Sequence, residues 1–197
     1  MTVSKRTIKQ CQKNSRRAQK KIYEEFSQVI FAISMRYLKD RAKAEDNMHE
    51  TFVTVFEKIT QYSGKGSFDG WIKRIAVNNA LMYIRKNKKV FTSDDFSYFE
   101  DDNKTEKKVY GDVDPQNIRE IIERANFSRT EVMELVSELP DGFRTVFNLY
   151  VVEEFKHKDI AEKMEISEGT SKSQYARARV KLQQILYDAA LIKIKNK

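Results

Sequence analysis

The sequence predicts an all-α fold divided into two small helical domains joined by a flexible acidic linker. Three observations carry this. The 197 residues hold only 6 Gly and 2 Pro, too few for the many turns of an all-β fold, while Lys, Glu, Ala, Ile and Arg, most of them good helix formers, abound. Apolar residues recur at threes and fours, the helical period. The net charge of +8 is also unevenly placed. Lys+Arg against Asp+Glu runs 20 to 8 over residues 1–90, 6 to 10 over 91–130 and 11 to 11 over 131–197. A basic module, an acidic spacer and a balanced module follow, divided at 1–90, 91–127 and 128–197.

In the first module Ile22, Phe26, Val29, Ile30, Ile33 and Tyr37 form one apolar stripe, and Ala44, Met48, Phe52, Val55, Phe56 and Ile59 a second. Ser63-Gly64-Lys65-Gly66-Ser67 reads as a loop. Trp71, Ile72, Ile75, Ala76, Met82 and Tyr83 mark a third helix, whose end at Arg85-Lys86-Asn87-Lys88-Lys89 puts cations where the helix dipole favours them. These helices predict a bundle. Residues 91–112, with Asp94, Asp95, Glu100, Asp101 and Asp102, show no sustained period and read as linker.

Asp114-Pro115 supplies a cap and first-turn proline for a short helix through Ile118, Ile121 and Ile122. Ser128 and Glu131 have capping-box spacing before Val132, Leu135, Val136 and Leu139, and Pro140 stops that helix. Phe143, Val146, Phe147 and Tyr150 form the next. Lys158 to Met164, a break at Glu165-Ile166-Ser167 and a long helix from Glu168 complete the chain. Ala161 where two helices approach, Ile166 in the turn and a polar face on the second helix are what a helix-turn-helix requires. Tyr175, Ala178, Leu182 and Ile185 form the expected buried stripe, and Lys172, Ser173, Ala176 and Arg177 the outer face. The same pattern also describes an ordinary helix pair with a solvated basic face.

Several function classes fall away. The lone Cys11 forms no intrachain disulfide and reads as a small buried or half-buried residue, which fits a reducing, cytoplasmic compartment. No apolar run reaches membrane-spanning length, and the basic N-terminus lacks the apolar segment of a signal peptide. Asp46, His49 and Glu50 share a helical turn but lack facing ligands, since the other histidine, His157, lies in the second module; no metal or cofactor is expected. No nucleophile, base and orienting group occur together, so catalysis is not expected either. The basic first module points to a polyanion, nucleic acid or an anionic membrane. Lys5 to Lys21 fits either a solvated face or a nucleic-acid-facing one. Trp71, in register with Ile72 and Ile75, reads as core, whereas Phe68 fits either core or a base-stacking role.

Two motif sets then sharpen the reading. Leu139-Pro140-Asp141-Gly142-Phe143-Arg144, Asp159-Ile160-Ala161, Ile166 to Ser173 and Ala176-Arg177-Ala178-Arg179 resemble the C-terminal domain of extracytoplasmic-function (ECF) sigma factors of the sigma-70 family. Ala44-Glu45-Asp46, Glu50-Thr51-Phe52, Gly66-Ser67-Phe68, Trp71 and Arg74-Ile75-Ala76-Val77-Asn78 resemble the same family's N-terminal domain. The resemblance implies an alternative sigma factor that binds the clamp and flap of core RNA polymerase and directs promoter recognition, melting and initiation.

By that resemblance Asp46, His49, Glu50 and Phe52 would meet the clamp. Lys65, Ser67, Phe68, Lys73, Arg74, Asn78 and Arg85 would bind the minus-ten element, with Asn78 at the mouth of a pocket for one flipped base. Thr170, Ser171, Lys172, Ser173, Gln174, Ala176, Arg177 and Arg179 would bind the minus-thirty-five element. The acidic linker would thread the polymerase's RNA channel, and a membrane-anchored anti-sigma factor is a further partner the family admits. Asn79 reads as bridging to a neighbouring helix. The chain departs from the family pattern at Asn47, where an apolar residue is usual, at His49 (usually Gln), and at Glu154 (often Gly). It departs again at Ser63, usually basic, and at Ser171 and Gln174, usually small-apolar and Arg. Two rival readings are a stand-alone helix-turn-helix regulator and a basic protein at a membrane surface. Neither accounts for the N-terminal motifs.

Overall fold

The computed structural model describes residues 3–86 and 114–196, which fall into two compact units, 1–87 and 88–197. The stretch 91–112, which reads as linker, lies outside the described residues. Among those described, regular structure is helical throughout.

The first unit opens with α1 (Lys5–Gln12), whose N-cap Ser4 accepts from the Thr7 N–H at 3.2 Å. Here the structure adds a helix, since the apolar period in the sequence begins only near Ile22. Only Thr7, Ile8 and Cys11 of α1 point inward, too few to make a periodic stripe. α2 (Arg16–Leu38) ends at Lys39 in the left-handed conformation, and Asp40 caps α3 (Arg41–Lys58) by accepting from the Lys43 N–H at 3.0 Å. A 3-10 turn, Ile59–Gln61, and a loop lead to α4 (Phe68–Lys86).

α2, α3 and α4 pack on one another around Ile22, Phe26, Ile30, Phe52, Val55, Ile72, Ala76 and Ala80. Each large apolar side chain so buried contributes about 1.5–3 kcal/mol. A polar link runs through this core. The Asn47 amide donates to Ser34 Oγ at 2.8 Å and to the Ala76 carbonyl at 3.4 Å, and Ser34 Oγ donates to the Ile30 carbonyl at 2.9 Å. The departure at Asn47 is thus matched by a hydroxyl on α2, and one amide ties three helices together. Val29, Met82 and Tyr83, expected inside, are exposed at the edges of their stripes.

In the second unit Asp114 caps α5 (Pro115–Ala125), accepting from the Gln116 N–H at 3.1 Å. The charge pattern places this segment at the end of the linker, yet α5 buries Ile118 and Ala125 and packs along the last helix. Ser128 and Glu131 form the expected capping box of α6 (Arg129–Ser137). α7 (Asp141–Phe147) continues into a wider π turn, Asn148–Val152. α8 (His157–Met164) and α9 (Glu168–Lys195) complete the unit, and the core joins Val136, Leu139, Phe143, Ala178 and Leu182.

The Leu-Pro-Asp-Gly-Phe-Arg motif has a structural basis. Leu139 and Phe143 enter the core, and Pro140 begins α7. The buried Arg144 guanidinium donates to the Leu139 carbonyl at 3.0 Å and pairs with Asp141 at 2.7 Å. Lys193 near the end of α9 reaches back to Glu131 (2.6 Å) and the Asn126 carbonyl (3.3 Å), lying 4.8 Å above the Phe127 ring. That grip fastens α9 to the start of α6.

Candidate polymerase and nucleic-acid interfaces

The outer arc of α3 is assembled by helical spacing alone. Asp46, His49 and Glu50 are exposed, and Val53, one further turn along the same arc, is 51% exposed. A single exposed apolar side chain is ordinary on a protein surface, so Val53 extends the arc without itself marking a contact. The motif reading gives Val53, three after Glu50, no role. Phe52 does not belong to this surface. It is buried, with its ring centroid 4.6 Å from Tyr23 and 6.0 Å from Phe56, so it supports the arc from beneath.

The loop before α4 turns at Gly64 (φ 79°) and Gly66 (φ 88°), positions where a Cβ is strained. The Tyr62 hydroxyl donates to the Gly66 carbonyl at 2.9 Å, and Ser67 Oγ accepts from the Gly70 N–H at 3.0 Å to cap α4. Lys65 and Ser67 stand exposed. Phe68, expected at the DNA, is instead buried, its ring 5.8 Å from Phe26 and 5.2 Å from Tyr62 in edge-on contacts. Trp71, expected in the core, is half-buried beside the same cluster, 5.4 Å from Tyr62.

Along α4, Arg74, Asn78, Met82 and Arg85 follow one another at threes and fours. The first three are exposed and Arg85 is half-buried. Lys73 is half-exposed and pairs with Asp69 at 2.6 Å. Asn79 points the other way and donates to Thr54 Oγ1 on α3 at 3.3 Å, the bridge expected of it. The two adjacent asparagines therefore do different work.

In the second unit Glu165 ends α8 in the left-handed conformation, and Ser167 caps α9 by accepting from the Thr170 N–H at 2.9 Å. Lys172, Ala176 and Arg179 are exposed; Thr170, Ser173 and Arg177 are half-buried. Lys172 pairs with Glu168 at 2.7 Å, and the Ser173 hydroxyl donates to the Thr170 carbonyl at 3.0 Å. Ser171 and Gln174 do not face outward. Both are fully buried, because positions 171, 174, 178 and 182 form the inward stripe of α9. They are removed from the surface that could touch DNA.

Ser171 Oγ shares a 2.9 Å hydrogen bond with Nδ1 of His157, a residue to which the sequence pattern assigns no role. The His157 ring stacks on Tyr150 at 4.5 Å and 13°, and Tyr150 in turn meets Tyr175 at 4.5 Å. Burial, and then the nearby Lys172 charge, hold the imidazole below its ordinary range, against a smaller opposing pull from Glu168. The first turn of α8 is thereby locked to the first turn of α9, which fixes the angle at which the outer face is presented. Among the described residues no group of three His, Cys, Asp or Glu side chains is arranged to hold a metal ion, and no helix is long and apolar enough to cross a membrane.

Residues 22–90 match the family model for Sigma-70 region 2, and residues 129–182 that for Sigma-70 region 4. The chain is 31% identical over 164 residues to the ECF RNA polymerase sigma factor SigM of Bacillus subtilis, covering 82% of this chain and 90% of that protein. This chain belongs to the ECF sigma factors. Similarity extends to SigW of the same organism, 28% identical over 185 residues (93% of this chain, 97% of the relative). It extends also to the RNA polymerase sigma-H factor of Pseudomonas aeruginosa, 25% identical over 177 residues (87% and 88%). Sigma factors are transcription initiation factors and form no enzyme class. The two matched regions coincide with the α2–α4 bundle and with the α6–α9 unit, the two places where the exposed faces lie.

Proposed function

We infer that the chain serves as an alternative sigma factor in the cytoplasm, without catalysis of its own. It binds core RNA polymerase and gives it promoter recognition, melting and initiation. The observation that carries this is the pairing of family membership across both regions with exposed polar and charged faces on both matched units.

The α3 arc of Asp46, His49, Glu50 and Val53 is the clamp-binding surface: a charged rim around one uncovered apolar side chain. Lys65 and Ser67 of the loop, with Lys73, Arg74, Asn78 and Arg85 of α4, bind the minus-ten element. Lys172, Ser173, Ala176, Arg177 and Arg179, with Thr170 at the helix start, read the minus-thirty-five element, while the second unit also meets the flap. An anti-sigma factor at the membrane would compete for these same faces.

Each unit offers one small reading surface, and a single small module gains limited affinity at physiological salt. Promoter-specific binding therefore requires polymerase. Gel shifts with the chain alone should be weak and fade with salt, then sharpen on adding core enzyme, with run-off transcripts from a subset of genomic fragments. Nanomolar, site-specific binding by the isolated chain would instead identify a stand-alone regulator.

A further inference from the structure

α1 precedes the segment that matches the family. Lys5, Ile8, Lys9 and Gln12 recur at threes and fours and share one face of it, and all four line a cavity of about 570 Å³. The opposite wall is the Tyr62–Ser67 loop and the first residues of α4. The Gln12 side-chain amide donates to the carbonyls of Ile59 (3.0 Å) and Tyr62 (3.2 Å). The position of α1 thus sets the root of the loop placed at the minus-ten element.

Lys9 falls in the last turn of α1, where the helix dipole favours a cation, but folding does not account for Lys5. Lys5 stands in the first helical turn, where the dipole disfavours a cation, and no acidic residue stands there to offset it. Lys9 lies one turn on, so the two ammonium groups repel. Both are exposed and neither forms an ion pair among the described residues. The one carboxylate lining the cavity, Asp69, is already engaged by Lys73 at 2.6 Å. What remains is a cleft with two uncompensated cations, a few hydroxyls and glycine backbone, and an apolar floor of Ile8 and Phe26. Such a surface is matched by a phosphodiester chain. Its wall includes Ser67, so it adjoins the exposed Lys65 and Ser67 of the loop placed at the minus-ten element.

We propose that the Lys5–Lys9 face of α1, with the cleft it shares with the 62–67 loop, grips the sugar–phosphate backbone of the unpaired promoter strand next to the stretch met by that loop. This rests on the sigma-factor reading above. Each phosphate neutralised on a single strand contributes about −0.7 to the slope of log affinity against log salt. Two lysines on two phosphates therefore account for about 1.4 of that slope.

The test uses holoenzyme assembled from core polymerase and the full chain, titrated at several salt concentrations with a fork promoter whose minus-ten non-template strand is single-stranded. Lys5→Ala/Lys9→Ala should lower the slope by about 1.4 and weaken binding several-fold at moderate salt, whereas Lys5→Arg/Lys9→Arg should retain both. Duplex DNA bearing only the minus-thirty-five element should bind equally well to all three. An unchanged slope for the alanine pair, with wild-type holoenzyme binding the fork normally, overturns the α1 grip and leaves the sigma reading standing. An equal loss on the minus-thirty-five duplex overturns the placement on the unpaired strand. Failure of wild-type holoenzyme to bind the fork overturns both together.

Discussion

Replacing Glu154 by glycine should stabilise the second unit. Glu154 is exposed and sits at φ 59°, between the π turn and α8, in the left-handed region that crowds a Cβ against the following carbonyl. That conformation costs a residue with a side chain about 1–2 kcal/mol, which glycine escapes. Glycine in turn loses about 0.5–1 kcal/mol through the greater freedom of its unfolded chain. The difference leaves about 0.5–1 kcal/mol in favour of Glu154→Gly, and for a unit of this size each kcal/mol moves the midpoint by roughly 4–8 °C. Thermal unfolding of the full chain should show the transition of this unit rising by about 2–8 °C. Glu154→Ala is the control. It removes the carboxylate but keeps the Cβ, so it should stay within about 0.5 kcal/mol of wild type. A glycine variant that melts with the alanine variant, or below wild type, would refute the strain argument. The family's frequent glycine at this position would then need another reason.

Three further outcomes are expected. Lys172→Ala with Arg177→Ala should reduce transcription from the native promoter by weakening minus-thirty-five binding, about 1–3 kcal/mol for each base edge no longer read; unchanged run-off transcription would show the reading face wrongly assigned. Glu131 is held down to about 2, first by its hydrogen bond from Lys193 and then by those from Ser128. A depressed carboxylate stabilises above its unfolded value and loses that contribution as pH falls through the folded one. The gap in denaturation midpoint between wild type and Lys193→Ala should accordingly narrow between about pH 4.5 and 2, and a constant gap would remove the ion pair as its source. Asn78→Ala should leave polymerase association intact but reduce permanganate reactivity of minus-ten thymines on duplex promoter, with activity restored on a pre-melted template; equal reactivity on the duplex would take Asn78 out of melting.

Helix order, the Ser128 capping box, the Asp114 cap and the break at Glu165 were legible in the sequence because each depends on residues within four positions of one another. What sequence hid was mostly the facing of individual side chains. Ser171 and Gln174 belong to a motif whose neighbours are exposed, yet each falls on the inward side of its helix, and Phe68 proves to be core. Phe52 lies where the apolar period already puts it, and only the motif turns it outward. A motif names positions without saying which of them point out. α1 was hidden because a basic helix with two apolar residues and a threonine facing inward has no stripe to detect. The His157–Ser171 bond and the Lys193–Glu131 pair join residues 14 and 62 apart, beyond any local pattern.

The departure at Asn47 shows how such a hidden pairing can be tested. Its amide donates to Ser34 Oγ at 2.8 Å inside the bundle, where the family pattern is apolar. Ser34→Ala alone strands part of a buried amide, which retains only the longer 3.4 Å contact to Ala76, and should cost about 1–3 kcal/mol. Asn47→Leu alone removes a donor from a hydroxyl that still donates to the Ile30 carbonyl at 2.9 Å, so its cost should be smaller. The double replacement leaves neither group wanting a partner and approaches neutrality. The cycle should therefore be non-additive, with the double variant more stable than the two single losses predict by at least about 1 kcal/mol. Additivity within about 0.5 kcal/mol would mean that the two groups do not depend on each other. Polymerase affinity should not change, because Asp46, His49, Glu50 and Val53 lie on the outer arc of α3 and Asn47 on its buried side.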